Sequence, residues 1–493
     1  MGLSVRVSLL VALVLAVITG VWWYGPHPLD DAFITYRCAR HFAMGEGLVF
    51  NTGEPVQGFT SPLFTLALGL IGSLGAPIPA AGLVIAALAG LATLALIIVG
   101  GRLAGDELSG WLAALLVSLQ LLWVALFVGG METTLFSGVV LATLLVVAAE
   151  RWRWVGALVG VSLLIRPEGA LLGIAALATV LWRAGWRTAL REAVIAAVIP
   201  LPWLVFAWLQ FGTPVPQSVS AKRFAHQDLV WSQVLFHHRL FWSYQPFAAL
   251  WMTLAVFGAI ALIRRRATWV AVPLWMGLHL AALVEGRAPV MNFAWYMVPL
   301  LPPLFLLGAV GLHWIARWIA ERLRIRSFLL WAGAAAVLLA SQWIHLWQMR
   351  ALFGSEVLSR EQAYEIAAGA LRARMRPGDS ILVGEVGAIS WFLPEARVID
   401  SAGLASPEVV RLARRVGGQQ LAIGGGAALT RLILEELEPD FISTQRRFLG
   451  IGELRGEPWF TERYVEIEDP DVRVLDQWAF VRRDHPSVAG NDG

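Results

Sequence analysis

The 493-residue chain has one cysteine, Cys38, and few charged residues. A single cysteine excludes an intramolecular disulfide, so the fold must be held together by packing. Charged residues make up 15% of the sequence, well below the roughly 25% of a typical soluble domain. With 58% hydrophobic residues, this composition excludes an ordinary soluble protein and predicts a polytopic α-helical membrane protein. The net charge of +3 is too small to favour nucleic acid as a partner.

Apolar runs bounded by charge, proline or glycine are the candidate membrane spans, and the sequence contains eleven of them. They cover 5–23, 78–100, 110–128, 132–149, 154–165, 169–183, 192–211, 246–263, 268–285, 294–314 and 327–347. The shorter run 61–74 suits an interfacial or re-entrant helix better than a crossing. We expect the first run to be an uncleaved anchor, because no small-residue cleavage site precedes the acidic residues that follow it.

The distribution of the arginines indicates whether run 61–74 crosses the membrane. If it does not cross, fourteen arginines face the cytoplasm and the short outer loops hold seven basic residues. If it crosses, every later loop inverts and the triplet Arg264–Arg266 lies outside, against the positive-inside tendency. The sequence therefore predicts a cytoplasmic N-terminus, an outer loop over 25–77, and a helix over 61–74 that lies on the outer membrane face.

After about Ser355 the charge density rises and short strand-like runs alternate with amphipathic helical ones. The predicted strands are 380–384, 396–400, 440–444 and 477–483, and the predicted helices are 359–374 and 427–437. We therefore expect a transmembrane domain over 1–350 and an extracytoplasmic α/β domain over 355–493. The GEVG sequence at 384–387 is too short for a dinucleotide-binding fingerprint and is typical of an ordinary strand-to-helix turn.

Two adjacent carboxylates, Asp30 and Asp31, follow the first span. Adjacent carboxylates at a membrane boundary repel each other and are costly to desolvate. One interpretation is structural: a solvated loop start, or a helix N-cap formed by Asp30. The other is catalytic, with one carboxylate accepting a proton from a substrate hydroxyl.

Lys222 is the only lysine beside 37 arginines, and it lies in a long predicted outer loop over 212–245. A compact ammonium can bind a phosphate as a point charge where a planar guanidinium would not fit. Codon usage that favours arginine explains the same observation without a function. The nearby His226, His237 and His238 match no familiar metal-ligand spacing.

Further charges lie at the predicted outer ends of spans. Arg166 and Glu168 flank Pro167, and Glu132 follows a glycine pair. Charges at membrane depth normally line a cavity or pair with each other. A structural pair of Arg166 with Glu168, or with an aspartate, is therefore the alternative to a substrate site. Four more polar residues lie on the predicted outer side: Glu285, Arg287, Asn292 and Tyr296.

Five segments together resemble the GT-C superfamily of membrane glycosyltransferases, which use polyprenyl-phosphate-linked sugars, and in particular actinobacterial arabinofuranosyltransferase-like proteins. They are residues 30–63, GGMET at 129–133, RPEG at 166–169, PVPQSVSAK at 214–222, and residues 378–404. The resemblance implies two juxtamembrane helices, over 32–44 and 61–74. It also implies a general base at Asp30 with Asp31 beside it. The expected substrate- or phosphate-binding residues are Lys222, Arg166, Glu168, Glu132, Arg287 and Tyr36.

The chain departs from the family pattern at two places. Gln57 and Phe59 stand where Glu and Tyr are expected, and Gln217 and Ser218 replace an Asn-Thr pair. These departures bear on the donor sugar, which the sequence leaves open between an arabinofuranose and a hexose.

The resemblance implies an inverting glycosyltransferase of the bacterial plasma membrane. Its expected partners are a polyprenyl-phosphate sugar, a cell-envelope glycan or protein acceptor, and the lipid bilayer, and a divalent cation such as Mg²⁺ or Mn²⁺ is a candidate cofactor. A transporter or flippase of lipid-linked sugars is the main alternative, although we see no internal repeat and the charges lie mostly on one side. A non-catalytic envelope-assembly protein is the third reading.

Overall fold

The structure, a computed structural model, describes residues 2–243, 245, 247–288, 293–422, 425–473 and 476–489, and their side chains except those of 349–359. The helices of the first half are α1 Leu3–Tyr24, α2 Asp30–Ala43, α3 Pro62–Ser73, α4 Ile78–Leu103, α5 Glu107–Ser118, α6 Leu121–Phe127, α7 Thr133–Ala148, α8 Val155–Ile165, α9 Gly169–Ala184, α10 Trp186–Val198, α11 Leu201–Phe211 and α12 Gln217–His226. Those of the second half are α13 Trp231–Ser243, α14 Ala248–Arg265, α15 Ala271–Glu285, α16 Leu301–Leu323, α17 Ser327–Arg372, α18 Ala388–Phe392, α19 Pro407–Val416, α20 Gln419–Ala422, α21 Ala427–Glu436, α22 Ile451–Leu454, α23 Pro458–Arg463 and α24 Pro486–Ala489. Short 3₁₀ helices lie at Trp152–Trp154, Ala267–Val270 and Ala294–Leu300. The strands are β1 Ser380–Val383, β2 Arg397–Asp400, β3 Phe441–Gln445, β4 Tyr464–Glu466 and β5 Gln477–Arg482.

The chain divides into two compact units. The helical unit comprises residues 1–27, 82–203 and 231–354, and the α/β unit comprises residues 28–81, 204–230 and 355–493. The loop after the first span and part of the loop that carries Lys222 therefore belong to the same unit as the C-terminal segment. Three segments far apart in sequence meet in this unit.

All eleven predicted spans coincide with helices. Seven helices in the described ranges are long and apolar enough to cross a membrane, and the pair α5 and α6, bent by 74°, makes eight if it counts as one span. The three remaining predicted spans correspond to shorter apolar helices: Thr133–Ala148, Trp152–Ile165 and Gly169–Ala184. The run 61–74 forms the 12-residue helix α3, too short to cross about 30 Å of hydrocarbon at 1.5 Å per residue.

Arg6 near the start of α1 and Arg102 near the end of α4 both bind the carboxylate of Glu107, each at 2.9 Å. The beginning of α1 and the end of α4 therefore lie at the same end of the helical unit.

Small residues let α14 and α16 pack closely. A Cβ added at Gly258 would collide with the carbonyl of Leu307, and one at Gly311 would collide with the carbonyl of Leu254. Such close backbone contact is typical of helix pairs in membranes. There, small residues let the helices approach, and van der Waals packing rather than the hydrophobic effect drives their association.

The α/β unit contains a five-stranded sheet of order β2-β1-β3-β5-β4. β1 runs parallel to β2 and β3, whereas β5 is antiparallel to both β3 and β4. The fully buried Leu382, Ile399 and Ile442 belong to the three parallel strands and form part of the core. The carboxyl ends of these three strands share one edge of the sheet, which is where open α/β sheets bind ligands.

All four predicted strands are present within a residue or two, and the three-residue strand β4 was not predicted. The predicted helix 427–437 corresponds to α21. The predicted helix 359–374 is confirmed to within two residues. It is the end of the 46-residue helix α17, whose sequence contains no proline to interrupt it.

Candidate active site

Asp30 and Asp31 lie in the first turn of α2, where negative charge interacts favourably with the helix dipole. The expectation that Asp30 caps the helix is wrong, because Leu29 occupies the N-cap position and makes no side-chain capping bond. A solvated loop start is wrong as well, since Asp30 is only 6% exposed. Asp31 is half-buried.

The turn between β1 and α18 holds Asp30. The backbone N–H of Ala388 donates to Oδ1 of Asp30 at 2.7 Å. Gly387 precedes it, and a Cβ there would collide with the backbone carbonyl of Asp30. Gly387, the second glycine of the GEVG sequence, therefore permits this close approach. The predicted strand-to-helix turn is confirmed.

Four charged or polar residues that the sequence did not single out surround Asp30. The backbone N–H of Asp30 donates to Glu361 Oε1 at 3.1 Å, and Arg360 donates to the same oxygen at 2.7 Å. Arg360 also reaches Glu385 at 3.4 Å, and the hydroxyl of Tyr364 donates to Glu385. The only sequence signal was the amphipathic pattern of 359–374, which gave no hint that its polar face meets Asp30.

Burial is the largest influence on the Asp30 carboxyl and raises its pKa to about 8. The charges of Glu385 and Asp31 contribute to this raised pKa, whereas Arg360 and the Ala388 amide oppose the rise. Glu361 is 7% exposed, and its Oε2 has no hydrogen-bond partner among the described residues. A carboxyl whose pKa lies near neutrality is suited to proton transfer.

Arg37 fixes the position of α2. Its guanidinium is 1% exposed and donates to the carbonyl oxygens of Phe50 at 2.7 Å, Leu393 at 3.0 Å and Ala396 at 2.8 Å, and to that of Ser390. These acceptors include the orphan carbonyls at the end of α18. One buried side chain thus ties α2 to the end of α18 and to the loop that follows it.

Tyr36, predicted to bind substrate, is fully buried. Its ring meets Phe33 and Trp391 edge-on, at centroid distances of 5.5 and 6.2 Å. The structure therefore places Tyr36 within an aromatic cluster that packs α2 against α18.

The two departures from the family pattern are neighbours in space. The backbone N–H of Gln217 donates to the carbonyl of Gln57 at 2.9 Å, and its side-chain amide donates to the carbonyl of Gly403 at 3.2 Å. Gln57 Oε1 and Ser218 Oγ are buried without a hydrogen-bond partner among the described residues. Lys222 lies one turn further along α12 and is half-buried in the same unit as Asp30.

A second charged cluster belongs to the helical unit. Arg166, 4% exposed, binds Glu132 at 2.7 Å and Glu168 at 3.0 Å. Its guanidinium carbon also lies 5.0 Å from the ring centroid of Tyr296. The structural Arg166–Glu168 pair that the sequence offered as an alternative is thus present. Glu132 joins it as a second carboxylate partner of Arg166.

Of the remaining predicted outer residues, Arg287 contacts an aromatic ring. The guanidinium carbon of Arg287 lies 5.6 Å from the ring centroid of Trp231. Asn292 lies outside the described residues. Within the described ranges, no group of three or more His, Cys, Asp or Glu side chains is arranged to hold a metal ion.

Comparison with known proteins supports the fold. A family model described as a domain of unknown function (DUF8728) matches residues 349–488. The chain is 30% identical over 280 residues to the terminal β-(1→2)-arabinofuranosyltransferase of Mycobacterium tuberculosis, a match that covers 51% of this chain. The chain spans only 43% of that relative's length.

Solved structures resemble almost the whole chain. ArnT from Cupriavidus metallidurans superimposes with a TM-score of 0.60 in the apo state, at 15% identity, over 97% of this chain and 98% of that one. Its form bound to undecaprenyl phosphate gives 0.57 at 16% identity, with the same coverage. The archaeal oligosaccharyltransferase AglB from Archaeoglobus fulgidus, in complex with an inhibitory peptide and a dolichol-phosphate, gives 0.52 at 13% identity over 90% of this chain and 70% of that one. The predicted GT-C-like membrane fold with a C-terminal α/β segment is confirmed.

Proposed function

We propose that this protein is a GT-C-type membrane glycosyltransferase that moves a sugar from a polyprenyl-phosphate donor to a cell-envelope acceptor. The observation that carries the proposal is the buried carboxyl of Asp30, held by the Ala388 amide and with its pKa near neutrality. The 30% identity to a mycobacterial arabinofuranosyltransferase supports the reaction class and favours arabinofuranose over a hexose. The fold shared with ArnT, which has been solved with undecaprenyl phosphate, supports a lipid-linked donor.

In the proposed reaction, ionised Asp30 accepts the proton of an acceptor hydroxyl as its oxygen attacks the anomeric carbon of the donor sugar. The bond from that carbon to the phosphate oxygen breaks, and its electron pair leaves with the polyprenyl phosphate. Attack opposite the leaving group inverts the anomeric centre. Raising the pKa of Asp30 makes it a stronger base, and Asp31 contributes through its negative charge.

The leaving phosphate needs cations to stabilise its growing charge. We assign this role to Lys222, whose ammonium presents three donors without fixed geometry. Arg166 is a weaker candidate, because two carboxylates already compensate its charge. Arg287 is the remaining cation of the predicted set. Mg²⁺ or Mn²⁺ stays a prediction from the resemblance, and no step above depends on it.

Arg360 offsets the negative charge of the carboxylates around Asp30. It lies between Glu361 and Glu385, and its positive charge lowers the pKa of Asp30. Without it, buried carboxylates of like charge would face each other, and Asp30 would stay protonated. We therefore infer that Arg360 holds Asp30 within the range where it can act as a base.

We further propose that the α/β unit faces the extracytoplasmic side. The contacts of Arg6 and Arg102 with Glu107 support this arrangement, because they let the chain between α1 and α4 begin and end at the same face. The arginine-rich end of the helical unit is then expected to face the cytoplasm, in line with the positive-inside tendency.

The test is a transfer assay with the full-length protein in lipid nanodiscs. Polyprenyl-phosphate arabinofuranose and an arabinan oligosaccharide are supplied, and the products are analysed by mass spectrometry, with a polyprenyl-phosphate hexose in parallel. We expect an acceptor one sugar longer and free polyprenyl phosphate. Movement of either donor between the leaflets of vesicles without any transfer would instead establish the transporter reading.

A further inference from the structure

The helical unit contains a cavity of about 280 Å³ where α14 and α16 end and α4 meets α5. Its wall includes two arginines and two tryptophans: Arg265, Arg317, Trp314 and Trp318. Asp106 also contributes, and the next residue is the Glu107 that binds both Arg6 and Arg102. The cavity therefore lies at the arginine-rich end of the helical unit.

Asp106, one of the two acids of the cavity wall, is held by neighbouring side chains. His313 Nδ1 lies 2.6 Å from Asp106 Oδ2, and the hydroxyl of Ser109 donates to the same oxygen. These two contacts hold the Asp106 carboxylate, which forms no ion pair with either arginine among the described residues. Glu321 is the other acid of the wall.

The two arginines are not neutralised. Arg265 donates to the backbone carbonyl of Ala104 at 2.7 Å and forms no ion pair with a described carboxylate. Arg317 is exposed and forms neither a hydrogen bond nor an ion pair with any residue that the structure describes. By contrast, Arg6 and Arg102 are satisfied by a shared carboxylate. Two uncompensated guanidinium groups at one cavity favour an anion.

The aromatic residues show which kind of anion fits. Trp314 stacks on Phe257 at a centroid distance of 5.8 Å. Trp318 is 48% exposed, and the guanidinium carbon of Arg322 lies 3.5 Å from its ring centroid. Indole rings at the ends of membrane helices belong at the level of lipid headgroups. Basic pockets between such helix ends are the places where anionic headgroups bind.

We propose that this cavity binds the headgroup of an anionic phospholipid from the leaflet that surrounds the arginine-rich end. Arg265 and Arg317 hold the phosphodiester, and Glu321 accepts a hydrogen bond from a headgroup hydroxyl. Trp318 lies against the glycerol backbone at the membrane surface. This site is separate from Asp30 and does not depend on the proposed glycosyl transfer.

The test measures lipid bound to the purified full-length protein by native mass spectrometry. Phosphatidylglycerol is the probe, phosphatidylcholine is the neutral comparison, and inorganic phosphate is the comparison without acyl chains. We expect the parent to retain phosphatidylglycerol at least tenfold better than phosphatidylcholine. R265Q/R317Q should lose most of this preference, and R317Q alone should lose part of it without disturbing the fold, because Arg317 forms no internal polar contact among the described residues.

The matched control is R183Q/R187Q, which removes two exposed arginines whose guanidinium groups stack on the neighbouring Trp182 and Trp186. It should keep the lipid preference. Equal retention of phosphatidylglycerol by the parent and R265Q/R317Q would overturn the proposal, as would an equal loss in the control. Full competition by millimolar inorganic phosphate would also overturn it, because the site would then bind phosphate ions rather than a lipid.

Discussion

The backbone amide of Ala388 donates a 2.7 Å hydrogen bond to the carboxylate of Asp30. This bond joins the residue that follows the first span to the first loop of the C-terminal sheet. Gly387 permits the approach, and Arg37 fixes α2 beside it. The candidate base is thus positioned by the carboxyl edge of the parallel strands. Substitutions in the 384–388 loop should therefore change the position of the Asp30 carboxylate.

The first prediction concerns Asp30→Asn. Loss of a general base should lower turnover by roughly 10² to 10⁴. The folded-state pKa of Asp30 is raised to about 8 from 3.8, so ionising this carboxyl opposes folding increasingly as the pH rises from 3.8 towards 8. The asparagine should therefore keep the thermal midpoint of the parent, or raise it, when both are measured at pH 8.

The control for this experiment is Asp484→Asn, which changes an exposed carboxylate that binds Arg482. It should leave turnover unchanged. Normal turnover in Asp30→Asn together with loss in Asp31→Asn would transfer the role of base to Asp31. Normal turnover in both variants would remove the carboxylate pair from the mechanism.

The second prediction is a pH profile. Because the base must be ionised, kcat should rise with pH and level off above about 8. Glu385 raises the pKa of Asp30, so Glu385→Gln should move this rise to lower pH. Glu462→Gln, at an exposed position, should leave the profile where it is. An unchanged profile in Glu385→Gln would contradict the proposed coupling.

The helices and strands were largely predictable, because hydrophobic runs and alternation record local structure. Counting arginines predicts that the run 61–74 does not cross the membrane. The structure forms a 12-residue helix there, and its place relative to the membrane stays a prediction. The pairing of Arg166 with Glu168 was predictable because the two residues are separated only by Pro167.

The surroundings of Asp30 could not be predicted. Its hydrogen-bond donor lies 358 residues away, and its charged neighbours Arg360 and Glu361 lie on a helix whose pattern predicts only an amphipathic face. No local signal reports which polar side chains meet across the fold. The contact between Gln57 and Gln217 was hidden in the same way, although each had been noted as a departure from the family pattern.

The third prediction concerns the Arg166 cluster. Glu132→Gln would leave a buried guanidinium with one of its two carboxylate partners, and Arg166→Gln would leave two carboxylates without their cation. We expect the second change to cost on the order of 3 to 5 kcal/mol of stability. A double-mutant cycle in thermal or denaturant unfolding measures the coupling. Additive losses would show that the pair contributes no coupling energy.

The fourth prediction concerns Lys222. If its ammonium stabilises the leaving phosphate, Lys222→Arg should lose much of the activity and Lys222→Ala more, on the order of 2 to 4 kcal/mol of transition-state stabilisation. The loss should appear mainly in kcat, because the phosphate gains charge as the bond to the sugar breaks. The matched control is Arg223→Ala at the next position of α12. An arginine variant as fast as the parent would show that the lone lysine reflects codon usage.

The fifth prediction tests the orientation with introduced cysteines and an impermeant thiol reagent on intact cells. Cys38 is fully buried, so the natural cysteine can stay in place without giving a background signal. Leu74, 87% exposed at the end of α3, and Arg187, exposed near the start of α10, are suitable positions. If α3 lies on the outer face, Leu74→Cys should be labelled from outside and Arg187→Cys only after the cells are permeabilised. The reverse pattern would place the arginine-rich end outside and overturn the orientation, while leaving the contacts around Asp30 as they are.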